Sequence, residues 1–259
     1  KKFSLEGKKA FITGAAGGIG RSSAAAMAEL GADVAIMDIP AKKESLEQCA
    51  KDIANRYGVK AHAMAGDVSD EESVGSMYDE IEEVFGTIDV VHSNAGINLI
   101  TDNAGIDLKV WQKMTDVNYT GMMLVSRYGA EMMKSHGHGG SIILTASMSG
   151  RIINRFWDND LTQMAYCSGK AGVAQLAKAM AIIYADYGIR VNSISPGYIL
   201  SGIHDKLPEQ FFEYTLSTVP LKRYGSLDEI AGVVAMLATD LSTYMLGSDV
   251  VVDGGYTIW

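Results

Sequence analysis

The sequence has few of the residues that cross-link a chain or interrupt its regular structure. Its 259 residues include two cysteines and four prolines. Cys49 and Cys167 are too few for a disulfide framework and lack the spacing of zinc ligands, which favours a reducing compartment. No uncharged apolar run approaches the ~18 residues of a membrane span, and the start KKFSLEGKK lacks a signal peptide's apolar stretch. We therefore expect a soluble, cytoplasmic protein with no membrane contact.

Basic residues are also in deficit. Lys and Arg total 22 against 31 Asp and Glu, a net charge of -9, which argues against non-specific binding to nucleic acid. The hydrophobic share of 47% and charged share of 20% are near the globular average and exclude disorder, collagen-like repeats and a coiled coil. At ~150 residues per domain, the length predicts one domain spanning 1–259. A small molecule is the expected partner.

Short apolar runs alternate along the whole chain with longer amphipathic runs. The runs predict helices at about 18–30, 43–57, 71–85, after 106, 165–187 and 227–238, and strands at 8–13, 33–38, 60–65, 88–93, 141–147, 190–195 and 249–253. Strands separated by helices pair in parallel and need both sheet faces covered. The predicted fold class is α/β, a doubly wound parallel sheet of about seven strands with helices on both faces.

Three segments interrupt this alternation, near 97–106, 148–163 and 197–217. Each follows the carboxyl end of a predicted strand, where open α/β sheets bind their ligands. We predict that these segments are the loops of a substrate site.

A glycine-rich turn follows the first predicted strand. It reads TGAAGGIG from Thr13 to Gly20, a T-G-x-x-x-G-x-G spacing. Glycine lets the backbone approach a pyrophosphate closely, and the N–H groups at a helix start favour negative charge. The turn predicts dinucleotide contacts, with an ordinary strand–helix turn as the alternative. The predicted contacts are Gly14, Ala16, Gly18, Ile19 and Gly20.

An acidic residue ends the second predicted strand. Asp38 lies 24 positions after Gly14, near the ~20-residue offset of an acid that binds the adenosine ribose. Its carboxylate would repel a 2′-phosphate, and no Lys or Arg occurs at 14–20 or 39 to offset that repulsion. The cofactor prediction is NAD rather than NADP, with Ile39 as an adjoining contact. A strand-end carboxylate with a turn role before Pro40 is the alternative.

Tyr166 and Lys170 lie four residues apart in a predicted helix and therefore share a face. Ser147 ends the fifth predicted strand and points to the same crevice. Lowering a phenol pKa from ~10 to ~7 takes about 4 kcal/mol, of which a cation at ~5 Å supplies roughly 3 kcal/mol. We therefore expect Lys170 and the positive nicotinamide of the cofactor to make the phenol acidic together. Such a phenolate would remove an alcohol proton while hydride passes to NAD, and Ser147 would hold the same oxygen. The pattern predicts alcohol–carbonyl interconversion.

These residues together resemble the short-chain dehydrogenase/reductase family over nearly the whole chain. Besides TGAAGGIG and YCSGK, the run 93–96 (SNAG) resembles the family's N-N-A-G element, with Ser93 replacing the first Asn. DVNYTG and TASMSG match its active-site Asn and Ser segments. The resemblance implies a Rossmann-type domain in which Asn118 helps hold a water that links Lys170 to solvent. The implied catalytic tetrad is Asn118, Ser147, Tyr166 and Lys170.

The resemblance also implies further cofactor contacts and an assembly. The additional positions are Asp67 and Val68 at the adenine, Asn94, Ala95 and Gly96, the catalytic Tyr166 and Lys170, Pro196, Gly197 and Ile199 at the nicotinamide, and Ser201, where the family often has Thr. Family members are often homotetramers or homodimers, so we expect a homo-oligomer.

The interval between Ser147 and Tyr166 is 19 positions, longer than is common in the family. This longer gap, the SMSG run and the VDGGYTIW ending resemble the sugar-alcohol branch, which includes mannitol, arabinitol and sorbose-type enzymes. The resemblance implies a polyol and its ketose as substrates, and the many polar groups of the insertion suit a polyhydroxylated ligand. The insertion as a solvated loop or subunit contact is the alternative. Predicted substrate contacts are Ser149, Asn154, Trp157 and His204.

Other functions remain as alternatives. A 3-oxoacyl-carrier-protein reductase, or another carbonyl reductase of the same family, would use NADPH and a basic docking surface, which Asp38 and the acidic balance oppose. A non-catalytic dinucleotide-binding sensor would not need the tetrad, and a methyltransferase would leave YCSGK without a role. No metal is expected, because His136 and His138 lack further ligands at suitable spacing. We expect His92 to be a satisfied histidine within a strand.

Overall fold

The computed structural model describes residues 2–99, 107–153, 164–201 and 209–258. Within these ranges the strands are β1 (Lys9–Thr13), β2 (Asp33–Asp38), β3 (Ala61–Ala65), β4 (Val90–Ser93), β5 (Gly140–Thr145), β6 (Ile189–Pro196) and β7 (Asp249–Val252). The helices are α1 (Gly18–Glu29), α2 (Lys43–Tyr57), α3 (Glu71–Phe85), α4 (Leu108–Thr115), α5 (Gly121–His136), α6 (Met164–Tyr184), α7 (Glu209–Thr218) and α8 (Leu227–Ala238). Among the described residues, no helix has the length and apolar character needed to cross a membrane.

The strands form one parallel sheet in the order β3-β2-β1-β4-β5-β6-β7. The chain builds outward from β1 to β3, returns to β4 on the other side of β1, and then builds outward to β7. This reversal between β1 and β4 opens a crevice at the carboxyl ends of the strands, which is where such sheets bind ligands. The predicted fold class, a single-domain Rossmann-type sheet, is confirmed.

Helices cover both faces of the sheet. Phe11 and Ile142 face one buried apolar cluster, while Ile12 and Ile143 face the other, because successive strand residues point to opposite faces. The first cluster packs under α3, α5 and α6, and the second under α1, α2 and α8. Burial on both faces explains why the strand sequences are nearly continuous apolar runs.

Local signals set the ends of several helices. Asp70 caps α3 by accepting a hydrogen bond from the Glu72 N–H at 3.1 Å, and the helix ends at Gly86 in the left-handed region. Ser226 and Glu229 form a reciprocal capping box at the start of α8. The bounds expected for α2, α3 and α8 are those observed.

The structure corrects the expected loop at 197–217, because residues 209–218 form α7. This helix is held by aromatic packing: the ring centroids of Phe211 and Tyr198 are 6.3 Å apart, and those of Phe212 and Tyr224 are 5.8 Å apart. These contacts join residues 12 and 13 positions apart, a separation that a helix or strand repeat does not cover, so the local pattern did not reveal them. The helical stretch expected after residue 106 is also divided, since a π-helical segment (Asp116–Thr120) joins α4 to α5.

Candidate active site

The glycine turn lies between β1 and α1, in close contact with the end of β4. Gly14 adopts a φ of +70°, and a Cβ there would lie 2.9 Å from the Ala95 Cα atom. A Cβ on Gly20 would collide with the Gly14 carbonyl oxygen. Both positions therefore require glycine because three backbone segments converge there.

The turn fits a diphosphate group. Helix α1 starts after Gly17 without a side-chain cap and has no acidic residue in its first turn. Open space lies beside Gly17 and Gly18, where an added Cβ would meet nothing within 4 Å. Uncapped N–H groups at a helix start bind anions well. The predicted contacts at 14, 16 and 18–20 thus form one compact turn with the electrostatics of a pyrophosphate site.

Asp38 is 6% exposed and lies beside this turn. Its Oδ2 atom accepts a hydrogen bond from the Ala16 N–H at 3.0 Å, and its Oδ1 atom accepts one from the Ile39 N–H at 2.9 Å. The structure also places Lys42 Nζ 3.8 Å from Asp38 Oδ1. Sequence reasoning missed this cation because it considered only positions 14–20 and 39, although the i,i+4 spacing was available as a signal.

Asp67 and Val68 follow β3 on the same edge of the sheet. Asp67 Oδ1 accepts hydrogen bonds from the Ser69 N–H at 2.9 Å and the Ser69 hydroxyl at 2.6 Å, which fixes a tight turn. The neighbouring Gly66 N–H donates to the Asp38 carbonyl oxygen at 3.1 Å. The predicted adenine pair therefore lies next to the predicted ribose ligand.

The segment Asn94-Ala95-Gly96 connects the glycine turn to the predicted catalytic residues. The N–H groups of Asn94 and Ala95 donate to the Thr13 hydroxyl at 2.9 and 3.0 Å. A Cβ on Gly96 would lie 3.0 Å from Asn118 Oδ1 and 3.6 Å from Lys170 Nζ. The absence of a side chain at Gly96 thus leaves room for two tetrad members.

Asn118 is fully buried within the π-helical segment. Its Oδ1 atom accepts from the Ile97 N–H and its Nδ2 atom donates to the Ile97 carbonyl oxygen, both at 2.7 Å. Interruptions of this kind in α-helices occur frequently at functional sites. The amide is therefore fixed against the loop after β4, and its contact with a water remains a prediction.

Ser147, Tyr166 and Lys170 come together at the carboxyl end of β5. Ser147 lies two residues after the strand and forms a hydrogen bond with the Tyr166 side chain. Lys170 Nζ lies 5.8 Å from the centroid of the Tyr166 ring and donates to the Thr145 carbonyl oxygen at 2.7 Å. The helical spacing in α6 places the phenol and the amine on one face, as expected.

Burial opposes the expected acidity of Tyr166. Desolvation raises the pKa of the phenol, and the hydrogen bond from Ser147, the second cause, lowers it. Lys170 is 3% exposed, and burial lowers its pKa to about 7. Lys170 and the nicotinamide of the cofactor were expected to make the phenol acidic together; in the protein by itself, removing both side chains from water disfavours both of their charged forms.

The predicted nicotinamide-side residues lie at the end of β6. A Cβ on Gly197 would lie 2.6 Å from the Asp253 Cα atom, so Pro196 and Gly197 pack closely on the segment after β7. Ile199 is buried and pairs with Gly225. Ser201 is half-buried and is the last residue described before 209.

The predicted substrate contacts are described only in part. Asn154, Trp157 and His204 lie outside the described residues. Ser149 is buried, and its N–H donates to Ser147 Oγ at 3.1 Å, so its backbone supports the predicted catalytic serine. Arg151 Nε donates to Asp249 Oδ2 at 2.8 Å and holds the start of the insertion against β7.

Two polar residues that the sequence reasoning did not single out support the site. Thr13 binds the segment after β4, and Thr145 binds Lys170. Their position at strand ends beside known motifs was the available signal. A separate cleft of about 1080 Å³ lies at the amino ends of the strands and is lined by residues that include Lys8, Asp89 and Arg190. It contains none of the predicted site residues.

Among the described residues, no cluster of three or more His, Cys, Asp or Glu side chains could hold a metal.

Comparison with known proteins places these features in context. A family model described as enoyl-(acyl carrier protein) reductase matches residues 14–257. The chain is 40% identical to a sorbose reductase of Candida albicans, covering 98% of this chain and 89% of that protein. It is 37% identical to an NADP-dependent mannitol dehydrogenase of Hypocrea jecorina, covering 98% and 94%. The solved structure of a short-chain type dehydrogenase/reductase from Mycobacterium marinum is 41% identical, covers 99% and 98%, and superposes with a TM-score of 0.92.

Proposed function

Because the chain belongs to the short-chain dehydrogenase/reductase family, whose members bind a nicotinamide dinucleotide, we propose that it is an NAD-dependent enzyme interconverting a secondary alcohol and a ketone. A polyol and its ketose are the favoured substrates. The observation that carries this proposal is that Asn118 and Lys170 meet at Gly96, while Lys170 and Ser147 both lie against Tyr166.

In this proposal, Tyr166 exchanges a proton with the substrate oxygen and Ser147 holds that oxygen by hydrogen bonding. The bound nicotinamide supplies hydride exchange at the carbon that carries the oxygen. Lys170 has a pKa of about 7, so its amine can bind and release a proton near neutral pH. A hydrogen bond to the Thr145 carbonyl oxygen holds the amine near the Tyr166 ring, 5.8 Å from its centroid.

The polyol assignment has two supports. The relatives include sorbose reductase and mannitol dehydrogenases, and an L-rhamnose 1-dehydrogenase (NAD(P)(+)) of Sphingomonas sp. is 36% identical over 97% of this chain. The insertion after Ser147 is anchored at Arg151 and carries many polar groups. A 3-oxoacyl-carrier-protein reductase remains the second candidate, since the matching family model is described by an acyl-carrier activity.

A substrate panel tests this function. NADH and NADPH absorbance would be followed with pentitols, hexitols and ketoses, and in parallel with an acyl thioester and hydrophobic ketones. We expect turnover with at least one polyol–ketose pair. Activity confined to thioesters or hydrophobic ketones would overturn the substrate assignment. Dinucleotide binding without turnover on any substrate would favour the sensor alternative.

The choice of NAD over NADP gives a further prediction. The carboxylate of Asp38 is held by two backbone N–H groups and cannot easily turn away from a 2′-phosphate, so like-charge repulsion should cost several kcal/mol. We expect Asp38→Ser to lower the ratio of kcat/KM for NAD to that for NADP by about 100-fold. Steady-state kinetics with both cofactors measures this ratio.

Lys42 provides the matched control for this prediction, because it is the cation nearest to Asp38 that the described residues provide. Lys42→Met should shift the ratio modestly in the opposite direction, toward NAD. The NAD proposal fails if the unaltered protein prefers NADP, as the name of the Hypocrea relative states for that enzyme. It also fails if Asp38→Ser leaves the ratio unchanged.

We also propose a homo-oligomer, either a dimer or a tetramer. Ile182 and Ile183 on α6 are 80% and 63% exposed, which is unusual for two adjacent large apolar residues and suits a subunit contact. Light scattering coupled to size-exclusion chromatography measures the assembly, and a monomer would contradict the proposal.

A further inference from the structure

A buried histidine lies behind the active site with one of its two ring nitrogens unbonded. His92, in β4, is fully buried, and its Nε2 atom is 2.9 Å from the Thr145 hydroxyl on β5. Within the described residues, Nδ1 has no hydrogen-bond partner. The expectation of a satisfied strand histidine is therefore only half met. An unpaired buried polar atom is destabilising, so its presence in a folded protein calls for an explanation. The single hydrogen bond of the ring is where we look for it.

The hydrogen-bond partners determine which atoms donate. The Thr145 hydroxyl lies 3.1 Å from Asn94 Oδ1, and Asn94 Nδ2 lies 3.0 Å from the Thr13 carbonyl oxygen. A carbonyl oxygen only accepts, so Nδ2 must face Thr13 and Oδ1 must face Thr145. The single hydroxyl hydrogen of Thr145 then goes to Asn94. His92 must consequently donate from Nε2, which leaves Nδ1 as a bare acceptor.

This directed chain ends at the cofactor turn. The Asn94 Nδ2 atom lies 3.1 Å from the position of a Cβ on Gly14 and 2.8 Å from that of a Cβ on Gly20. The Asn94 amide therefore occupies the space beside Gly14 and Gly20 that a side chain at either position would need. The orientation of this one amide is coupled to the geometry of the pyrophosphate site.

Thr145 contacts both halves of the active site. Its hydroxyl donates to Asn94 on the cofactor side, and its carbonyl oxygen accepts from Lys170 on the catalytic side. The imidazole of His92 supplies the only N–H that the described residues direct to this hydroxyl. Without that donor the hydroxyl could rotate to another acceptor and leave Asn94 Oδ1 unbonded.

We propose that His92 and Thr145 are positioning residues for dinucleotide binding: the His92 N–H orients the Thr145 hydroxyl, which fixes the Asn94 amide against the glycine turn. This inference rests on the dinucleotide site described under the proposed function. It adds a second layer of residues behind the glycine turn, in which neither side chain needs to touch the cofactor.

Substitution at Thr145 tests the inference by direct binding. Thr145→Val keeps the side-chain shape and removes the hydroxyl, so we expect the dissociation constant for NADH, measured by calorimetric titration, to rise about 10-fold. NADPH is titrated in parallel so that the choice of cofactor does not affect the result. Thr145→Ser keeps the hydroxyl and should remain within about 2-fold of the unaltered protein. The effect in turnover assays should appear in KM for the cofactor more than in kcat.

A double substitution separates positioning from stability. Thr145→Val alone leaves the buried His92 N–H unpaired, whereas His92→Leu/Thr145→Val removes that donor as well. The double variant should therefore unfold at a higher temperature than Thr145→Val, yet bind NADH equally weakly. Recovery of affinity together with stability would show that the pair is only structural and would overturn the inference.

Ser141 is the matched control on the same strand. Its hydroxyl makes a buried hydrogen bond to the Leu237 carbonyl at 2.8 Å, at the end of β5 away from the site. Ser141→Ala should lower the unfolding temperature without changing NADH affinity. Unchanged affinity in Thr145→Val would overturn the positioning role alone. Failure of the unaltered protein to bind either dinucleotide would overturn both this inference and the proposed function.

The histidine tautomer offers a test that needs no variant. Nitrogen-15 NMR of the imidazole should show a protonated Nε2 and a bare Nδ1 for His92, with a neutral ring at pH 6, because burial lowers its pKa to about 3. A ring protonated at Nδ1 would reverse the direction of the hydrogen-bond chain and overturn the inference.

Discussion

Tyr166→Phe is expected to lower kcat/KM for the alcohol–ketone reaction by about 10³-fold, within the range for loss of a general acid or base. The ring and its packing in α6 would remain, while the proton-exchanging hydroxyl and its hydrogen bond with Ser147 would be lost. Cofactor affinity should change little, because the substitution leaves the glycine turn intact. Steady-state kinetics and NADH titration together measure both quantities.

Tyr184→Phe is the control for this substitution. It also removes a phenol hydroxyl from α6, but that hydroxyl donates to Glu131 on α5 at 2.9 Å and contacts none of the predicted catalytic residues in this hydrogen bond. We expect its turnover to match that of the unaltered protein. Near-normal turnover in Tyr166→Phe would refute the assigned role of Tyr166 and, with it, the proposed mechanism.

Lys170→Met is expected to reduce kcat/KM by about 100-fold, because the amine that exchanges a proton near Tyr166 is lost.

The same substitution should also change the pH dependence of the free energy of unfolding. The pKa of Lys170 is about 7 in the folded protein and 10.5 in an unperturbed chain. Between these values the unfolded state binds more protons, so the contribution of Lys170 to the free energy of unfolding rises with pH.

Below pH 7 both states are protonated and the full cost of burying the ammonium remains. We therefore expect Lys170→Met to be more stable than the unaltered protein at pH 6, by about 1 kcal/mol, and to lose this advantage by pH 9. Urea unfolding at the two pH values measures the change. Lys178, exposed on the same helix, is the control, since Lys178→Met should leave the pH dependence unchanged. A constant difference between Lys170→Met and the unaltered protein at both pH values would contradict the prediction.

The two predictions share a physical origin. Burial disfavours the phenolate of Tyr166 and the ammonium of Lys170, which are the charged forms that the proposed chemistry would use. In the protein by itself the phenol is therefore neutral near pH 7, while the amine, with a pKa of about 7, is only partly protonated. The positive charge of a bound nicotinamide is the contribution that would shift the phenol toward ionisation, so proton exchange and cofactor binding should be coupled.

Much of the site could be predicted from the sequence because its signals are local. The four-residue interval between Tyr166 and Lys170 determines that they share a helix face, and the capping residues Asp70 and Ser226 determine where α3 and α8 begin. Asp38 was placed beside the glycine turn by its position at the end of a strand. Each of these inferences needs only short-range geometry and a parallel sheet.

The parts that were missed depend on contacts between distant segments. Helix α7, for example, is held by Tyr198 and Tyr224. The hydrogen-bond chain from His92 to Asn94 crosses two strands whose pairing no local pattern specifies. Such contacts require the packed structure.

The amino-acid sequence by itself determined the alternation of strands and helices, the glycine turn and the spacing of the catalytic residues, because periodicity and short motifs are properties of neighbouring residues. Only the tertiary structure decided the protonation tendencies of Tyr166 and Lys170 and the orientation of Asn94. These depend on how completely water is excluded and on which atoms from other strands meet, and both are set when the sheet and its helices pack together.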